Sequence, residues 1–107
     1  GAQYLHAQRL RQRISASLRR AVARVDALLL PTASDVAPGR ESTGDPSLQA
    51  PFSLGGFPSL SLPSGLTDAP ELPLAIQLAG APEHDAELLA IGRWCEAQLP
   101  AMPSPPV

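Results

Sequence analysis

Apolar positions along the chain fall into three rhythms, and each predicts a different element. Over residues 2–25, Leu10, Ile14, Leu18, Ala21, Val22 and Val25 recur at spacings of three and four. That is the helical period, and it predicts one amphipathic helix over 2–25. Arg9, Arg13, Arg20 and Arg24 fall on the opposite side, but Arg11 lies within the apolar stripe. An Arg there must snorkel outward or find an acidic or carbonyl partner. The second rhythm is the short unbroken apolar run. Residues 27–30 follow Asp26 and stop at Pro31, and the runs 59–63 and 74–79 sit between dense Gly/Pro punctuation. Such runs predict short buried strands, the first of parallel type and the other two buried on both faces. Residues 64–73 are acidic and rich in turn formers, which suits either a hairpin with a wide loop or a link between non-adjacent strands. The third rhythm is helical again: Leu88, Ile91, Cys95 and Leu99 form a stripe over 83–98. Pro82 opens this helix, Glu83, Asp85 and Glu87 suit its positive end, and Pro100 stops it.

Between these elements lies the polar stretch 31–50, PTASDVAPGRESTGDPSLQA, a long loop of the kind that often carries function. A short helix or turn is expected over 47–55, with Pro51 in its first turn and Gly55 and Gly56 breaking it. The tail 100–107 is expected to be extended or disordered. A helix handing over directly to a short buried strand is the mark of α/β layering, so the fold class is read as α/β.

Composition narrows the picture. The 107 residues suffice for one modest domain, and with only 4% aromatic residues its core must be aliphatic. Thirteen prolines, clustered in 31–82 and the tail, exclude long regular elements from the middle of the chain. The net charge of −2 is the sum of +6 over residues 1–25 (six Arg, no acid) and −8 over 26–107 (two Arg, ten acids). A basic helix before an acidic body admits a nucleic-acid footprint. The plainer reading is a helix lying against its own acidic protein or facing solvent, and no aromatic platform accompanies the arginines. No run approaches the ~18 apolar residues of a membrane span. The Arg-rich start has no compact apolar centre of the signal-peptide kind. The expectation is a cytoplasmic protein with no membrane and no nucleic-acid partner. Lys and Asn are absent while Ala, Pro, Gly and Arg abound, which fits a GC-rich bacterial genome. Residue 1 is not Met, so the chain is expected to be a piece of something longer.

The residues offer little chemistry of their own. No G-x-S-x-G turn presents a nucleophilic serine; Ser61 reads as core and Ser64 as a turn residue. The lone Cys95 rules out an internal disulfide, and His84, eleven residues earlier on the same helix, would stand roughly 16 Å away. Glu83, His84, Asp85 and Glu87 cluster acids around a His without metal-ligand spacing, and a helix first turn accounts for them. Gly55 and Gly56 lack the rest of a phosphate loop. No catalytic, metal or cofactor-binding residue is therefore assigned.

The order of short motifs is more specific. Tyr4-Leu5-His6-Ala7-Gln8-Arg9-Leu10-Arg11 is similar to a Tyr-x-x-Ala-x-x-x-Arg helix. Val25-Asp26-Ala27-Leu28-Leu29-Leu30-Pro31-Thr32 is similar to a D-x-L-L-x-P-T strand end, followed by Ala37-Pro38 and Thr43-Gly44-Asp45-Pro46. Leu54-x-Gly56-x-Pro58, Leu62-Pro63-x-Gly65 and Leu72-Pro73-Leu74-Ala75-Ile76-Gln77-Leu78-Ala79-Gly80 complete the series, with Leu88, Leu89 and Glu96 beyond. Over about residues 4–98 this order resembles the carboxy-terminal part of amidase signature enzymes, which hydrolyse or transfer amides. Gln49 and Ser53 stand where many members carry Asn, and Glu71 replaces a usual Gly.

The resemblance implies a carboxy-terminal portion of the amidase fold, with helices packed on part of a mixed β-sheet. Residues 1–99 would belong to an incomplete amidase domain and 100–107 to a Pro-rich tail. It implies structural motif positions at Tyr4, Arg11, Asp26, Pro31, Thr32, Gly56, Pro58, Pro63, Gly65, Pro73, Gln77 and Gly80. It also implies a Ser nucleophile, a second Ser on a cis peptide and a Lys base, all upstream, acting through an acyl-enzyme. A chain without any Lys cannot assemble that set. The expected partners are the missing amino-terminal half and a small-molecule amide substrate, with no cofactor and a homo-oligomer left open. The isolated chain is expected to be inactive and either poorly stable or oligomeric. A non-catalytic binding or assembly module derived from the same half is the alternative.

Overall fold

The computed structural model describes residues 1–33, 38–40 and 44–104. In chain order these form α1 (Ala2–Val22), β1 (Leu28–Pro31), α2 (Ala50–Gly55), β2 (Ser59–Leu66), β3 (Pro73–Ala79) and α3 (Asp85–Gln98). The strands make one sheet in the order β1-β3-β2, and both pairings are antiparallel. The parallel reading of the first strand is thereby corrected. A four-residue apolar run reports burial but says nothing about the direction of its neighbour.

Residues directly opposite in an antiparallel pair share a face. Leu28, Leu30, Gln77, Ala79, Ser59 and Ser61 therefore point to one side, and Leu29, Leu60, Leu62, Ile76 and Leu78 to the other. The first side carries a core of Val22, Phe52, Phe57 and Ala79, joined by Leu18, Leu28 and Leu30. Phe52 and Phe57 meet edge to face, with ring centroids 6.4 Å apart. The second side carries Leu62, Leu78 and Leu88, with Leu60, Ile76, Ile91, Cys95 and Leu99 packed around them. On that side α3 lies on β2 and β3. Leu29 on β1 shares the face but is left 64% exposed. The double-sided burial expected of the second and third strands holds only at the end of β3, over Gln77, Leu78 and Ala79. β1 is a half-covered edge, and β2 alternates between covered and exposed positions.

Element boundaries differ from expectation for local reasons. α1 ends at Val22 rather than 25, because residues 23–27 make the turn into β1 and Asp26 is a turn former. α3 starts at Asp85 rather than 83: Glu83 takes φ 70°, a left-handed conformation through which a right-handed helix cannot run. α2 has Pro51 in its first turn and closes on Gly56 at φ 75°, the αL cap that glycine adopts most easily. The segment between β2 and β3 is a wide hairpin. Thr67 ties its base, pairing its N–H with Leu72 O at 2.9 Å while its hydroxyl donates to Pro70 O at 2.8 Å. Ser64, expected as a turn residue, sits inside β2 at a bulge between Pro63 and Gly65. Residues 101–104 form neither helix nor strand.

Candidate functional site

Among the described residues, the densest polar network lies where the end of β1 meets β2, β3 and the start of α2. Gln77 is its centre. The middle strand carries it on the α1/α2 side of the sheet, where it is 3% exposed. Its Nε2 donates to Pro31 O at 3.2 Å and to Leu48 O at 2.8 Å, so both amide hydrogens are used. Gln49 repeats the device one layer out, its Nε2 donating to Thr32 O at 2.8 Å. Thr32 is held at three points. Its N–H donates to Ala75 O at 3.1 Å, its carbonyl accepts from Gln49, and its Oγ1 lies 2.9 Å from Ser61 Oγ. Asp45 Oδ1 accepts from Ser47 N–H at 2.9 Å, an Asx turn that leads into the segment before α2. Two glutamines and a hydroxyl pair thus bring both ends of the 33–47 connection onto the edge of the sheet.

Apart from the Asp45 carboxylate of the Asx turn, this network is electrically neutral. Amides and hydroxyls hold backbone carbonyls in place and expose no group able to take a proton from an attacking atom at neutral pH. Its work is positional.

The remaining motif residues fall outside the network. Arg11, within the apolar stripe of α1, donates from Nε to Leu54 O at 3.0 Å, so its partner is a carbonyl at the end of α2. Tyr4 is exposed, and its hydroxyl accepts from Gln8 Nε2 at 2.9 Å. Asp26 stands exposed in the turn after α1, beside a cleft of about 270 Å³ that also touches His84 and Glu87. Gly56 caps α2, and Pro58 O accepts from Gly80 N–H at 3.0 Å. Pro63, Gly65 and Pro73 are ladder positions of the β2–β3 pair. Ala37 and Thr43 lie outside the described residues. Of the twelve motif positions, the network takes in Pro31, Thr32 and Gln77.

Ser61, expected in the core, is instead an exposed partner of Thr32. The ladder explains the difference, since Ser61 faces the side opposite α3 and only the Leu60/Leu62 face of β2 is covered. Gln49 stands out in the sequence only as a departure from Asn, and nothing in its immediate neighbours signals its bond to Thr32. Cys95 packs beside the second core and His84 pairs with Glu87 Oε2 at 3.0 Å. Among the described residues no group of three or more His, Cys, Asp or Glu could hold a metal ion. No helix there is long and apolar enough to cross a membrane.

Comparison with known proteins places this arrangement. The family model described as Amidase matches residues 1–89. A solved structure described as an amidase superposes with a TM-score of 0.79 at 34% identity, covering 91% of this chain and 25% of its own. A glutamyl-tRNA(Gln) amidotransferase subunit from Thermotoga maritima superposes equally well, TM-score 0.79, at 28% identity, covering 92% of this chain and 23% of its own. The chain therefore spans about a quarter of the length of these structures. Among curated proteins none matches the chain.

Proposed function

We propose, from the premise that this chain belongs to the amidase family, that it is the carboxy-terminal portion of a longer amide hydrolase. In this reading it supplies scaffold and one wall of the substrate cleft. The carrying observation is the family match over residues 1–89 together with a solved amidase of which the chain spans only 25%. The parent would cleave a small-molecule carboxamide through a Ser–Ser–Lys acyl-enzyme whose three residues stand upstream. The neutral Thr32–Gln49–Gln77 network supports a positional role for this part, because it fixes a connection at the sheet edge and offers no acid–base group. The dimensions support incompleteness. The radius of gyration is 16.1 Å, against about 13 Å for a self-contained domain of this length.

The experiment is a pair of assays for amide hydrolysis. The 107-residue chain alone should show no turnover above background. The protein expressed from the gene with its upstream sequence should hydrolyse small carboxamides and lose that activity when its upstream Lys is changed to Ala. Turnover by the chain alone would sink the proposal.

A further inference from the structure

α1 and α2 enclose a groove with two compartments. One, of about 240 Å³, is walled by Ile14, Pro51 and Leu54; the other, of about 280 Å³, by Gln12 and Arg19. Arg11, Ser15 and Leu54 line both, at the junction. Ser15 is 9% exposed, and its hydroxyl makes no hydrogen bond among the described residues. Arg11 spends Nε on Leu54 O, which leaves its two η-nitrogens as donors. No acid lies anywhere in α1, and among the described residues neither Arg11 nor Arg19 pairs with a carboxylate. The groove is thus apolar at one end and cationic at the other. It also opens onto a longer uncovered stripe: Leu10 is 50%, Ile14 40% and Leu54 58% exposed.

We infer that this groove seats a segment of the parent amidase's own remaining chain, one that places a carboxylate side chain beside an apolar one. The inference rests on the reading that the chain is part of a longer amidase. The carboxylate would receive Arg11's η N–H groups and the Ser15 hydroxyl, and the apolar side chain would lie against Ile14 and Leu54. Charge complementarity points to an acid, since every ionisable group on the cationic walls is an arginine. The extent of the stripe points to a polypeptide. A small carboxylate would fill the groove and leave Leu10 and the amino-terminal half of the helix bare. The solved amidase supplies the length of chain, since three-quarters of it lies beyond the part this chain matches.

The test uses the intact parent protein with Cys95 replaced by Ser. Ile14→Cys and, on the opposite face of α1, Arg13→Cys are alkylated under native conditions. Burial under a docked segment should make the cysteine at 14 react about tenfold more slowly than that at 13. Arg11→Glu should erase most of that difference, because the carboxylate then meets a like charge, while Arg20→Glu, on the side of α1 away from the groove, should leave it unchanged. Equal rates at 14 and 13 would overturn the inference. So would protection that fades on dilution, the signature of a second copy, or protection that appears only when acetate or octanoate is added. Amide hydrolysis measured on the Ile14→Cys protein separates the two readings: an active enzyme with an open groove refutes the docking alone, and an inactive one with a covered groove refutes the chemistry alone.

Discussion

α3 and α1 carry the same kind of apolar stripe and meet different fates. Leu88, Ile91, Cys95 and Leu99 of the α3 stripe find β2 and β3 beneath them and join one core. On α1 the stripe is covered only toward its end, by Leu18 and Val22 against Phe52 and Phe57, while Leu10 and Ile14 stay at least 40% exposed. Periodicity states which face of a helix is apolar. What covers that face is decided by the rest of the fold, and here, among the described residues, the 21-residue α1 lies mainly on the six-residue α2 and reaches the sheet at its end alone.

The contrast can be broken most forcefully by truncating one residue on each side. Leu78→Ala removes a side chain 3% exposed between the sheet and α3, and should cost the chain about 2–5 kcal/mol in urea unfolding. Leu10→Ala should stay within about 0.5 kcal/mol, since half of that side chain already faces water. Equal losses would mean that α1 is packed in solution in a way this structure does not contain. In the intact parent the two values should converge.

A smaller effect tests the neutral network. Gln77→Leu keeps the volume but strips Pro31 O and Leu48 O of their donor. Both bonds are part-buried, and a hydrogen bond of that kind contributes about 0.5–1.5 kcal/mol. Amide exchange should report where the loss falls: Thr32 N–H, bonded to Ala75 O, should exchange faster, while the Thr67–Leu72 pair at the far end of the hairpin should not change. A uniform rise across β2 and β3 would show that Gln77 supports the sheet and not the connection.

What the sequence discloses follows the same division. Helices and strands are legible because their signals are local: period, Pro stops and Gly caps. Strand direction is not, because Leu28–Pro31 reads the same beside a parallel or an antiparallel neighbour. Gly92 looks like an ordinary helical glycine, yet a Cβ there would run into Leu60 of β2, so it sets how closely α3 lies on the sheet. Gln77 stands in a recognisable motif, but its two acceptors lie 46 and 29 residues away in the chain. Neither relation leaves a trace in the neighbouring letters.

The smallest effect bears on whether the network is one unit or two. Thr32 Oγ1 and Ser61 Oγ lie 2.9 Å apart in an exposed pair, so Thr32→Val should cost only about 0.5 kcal/mol, the low end for a hydrogen bond that water can replace. Ser61→Ala should cost about the same, and the double variant little more than either, because both remove one bond. Gln77→Leu combined with Thr32→Val decides the larger question. Additive losses would make the buried glutamine and the exposed hydroxyl pair separate fasteners of the same connection. A combined loss well short of the sum would mean that freeing the Leu48 end already releases Thr32, so that this edge of the sheet orders as one body around Gln77.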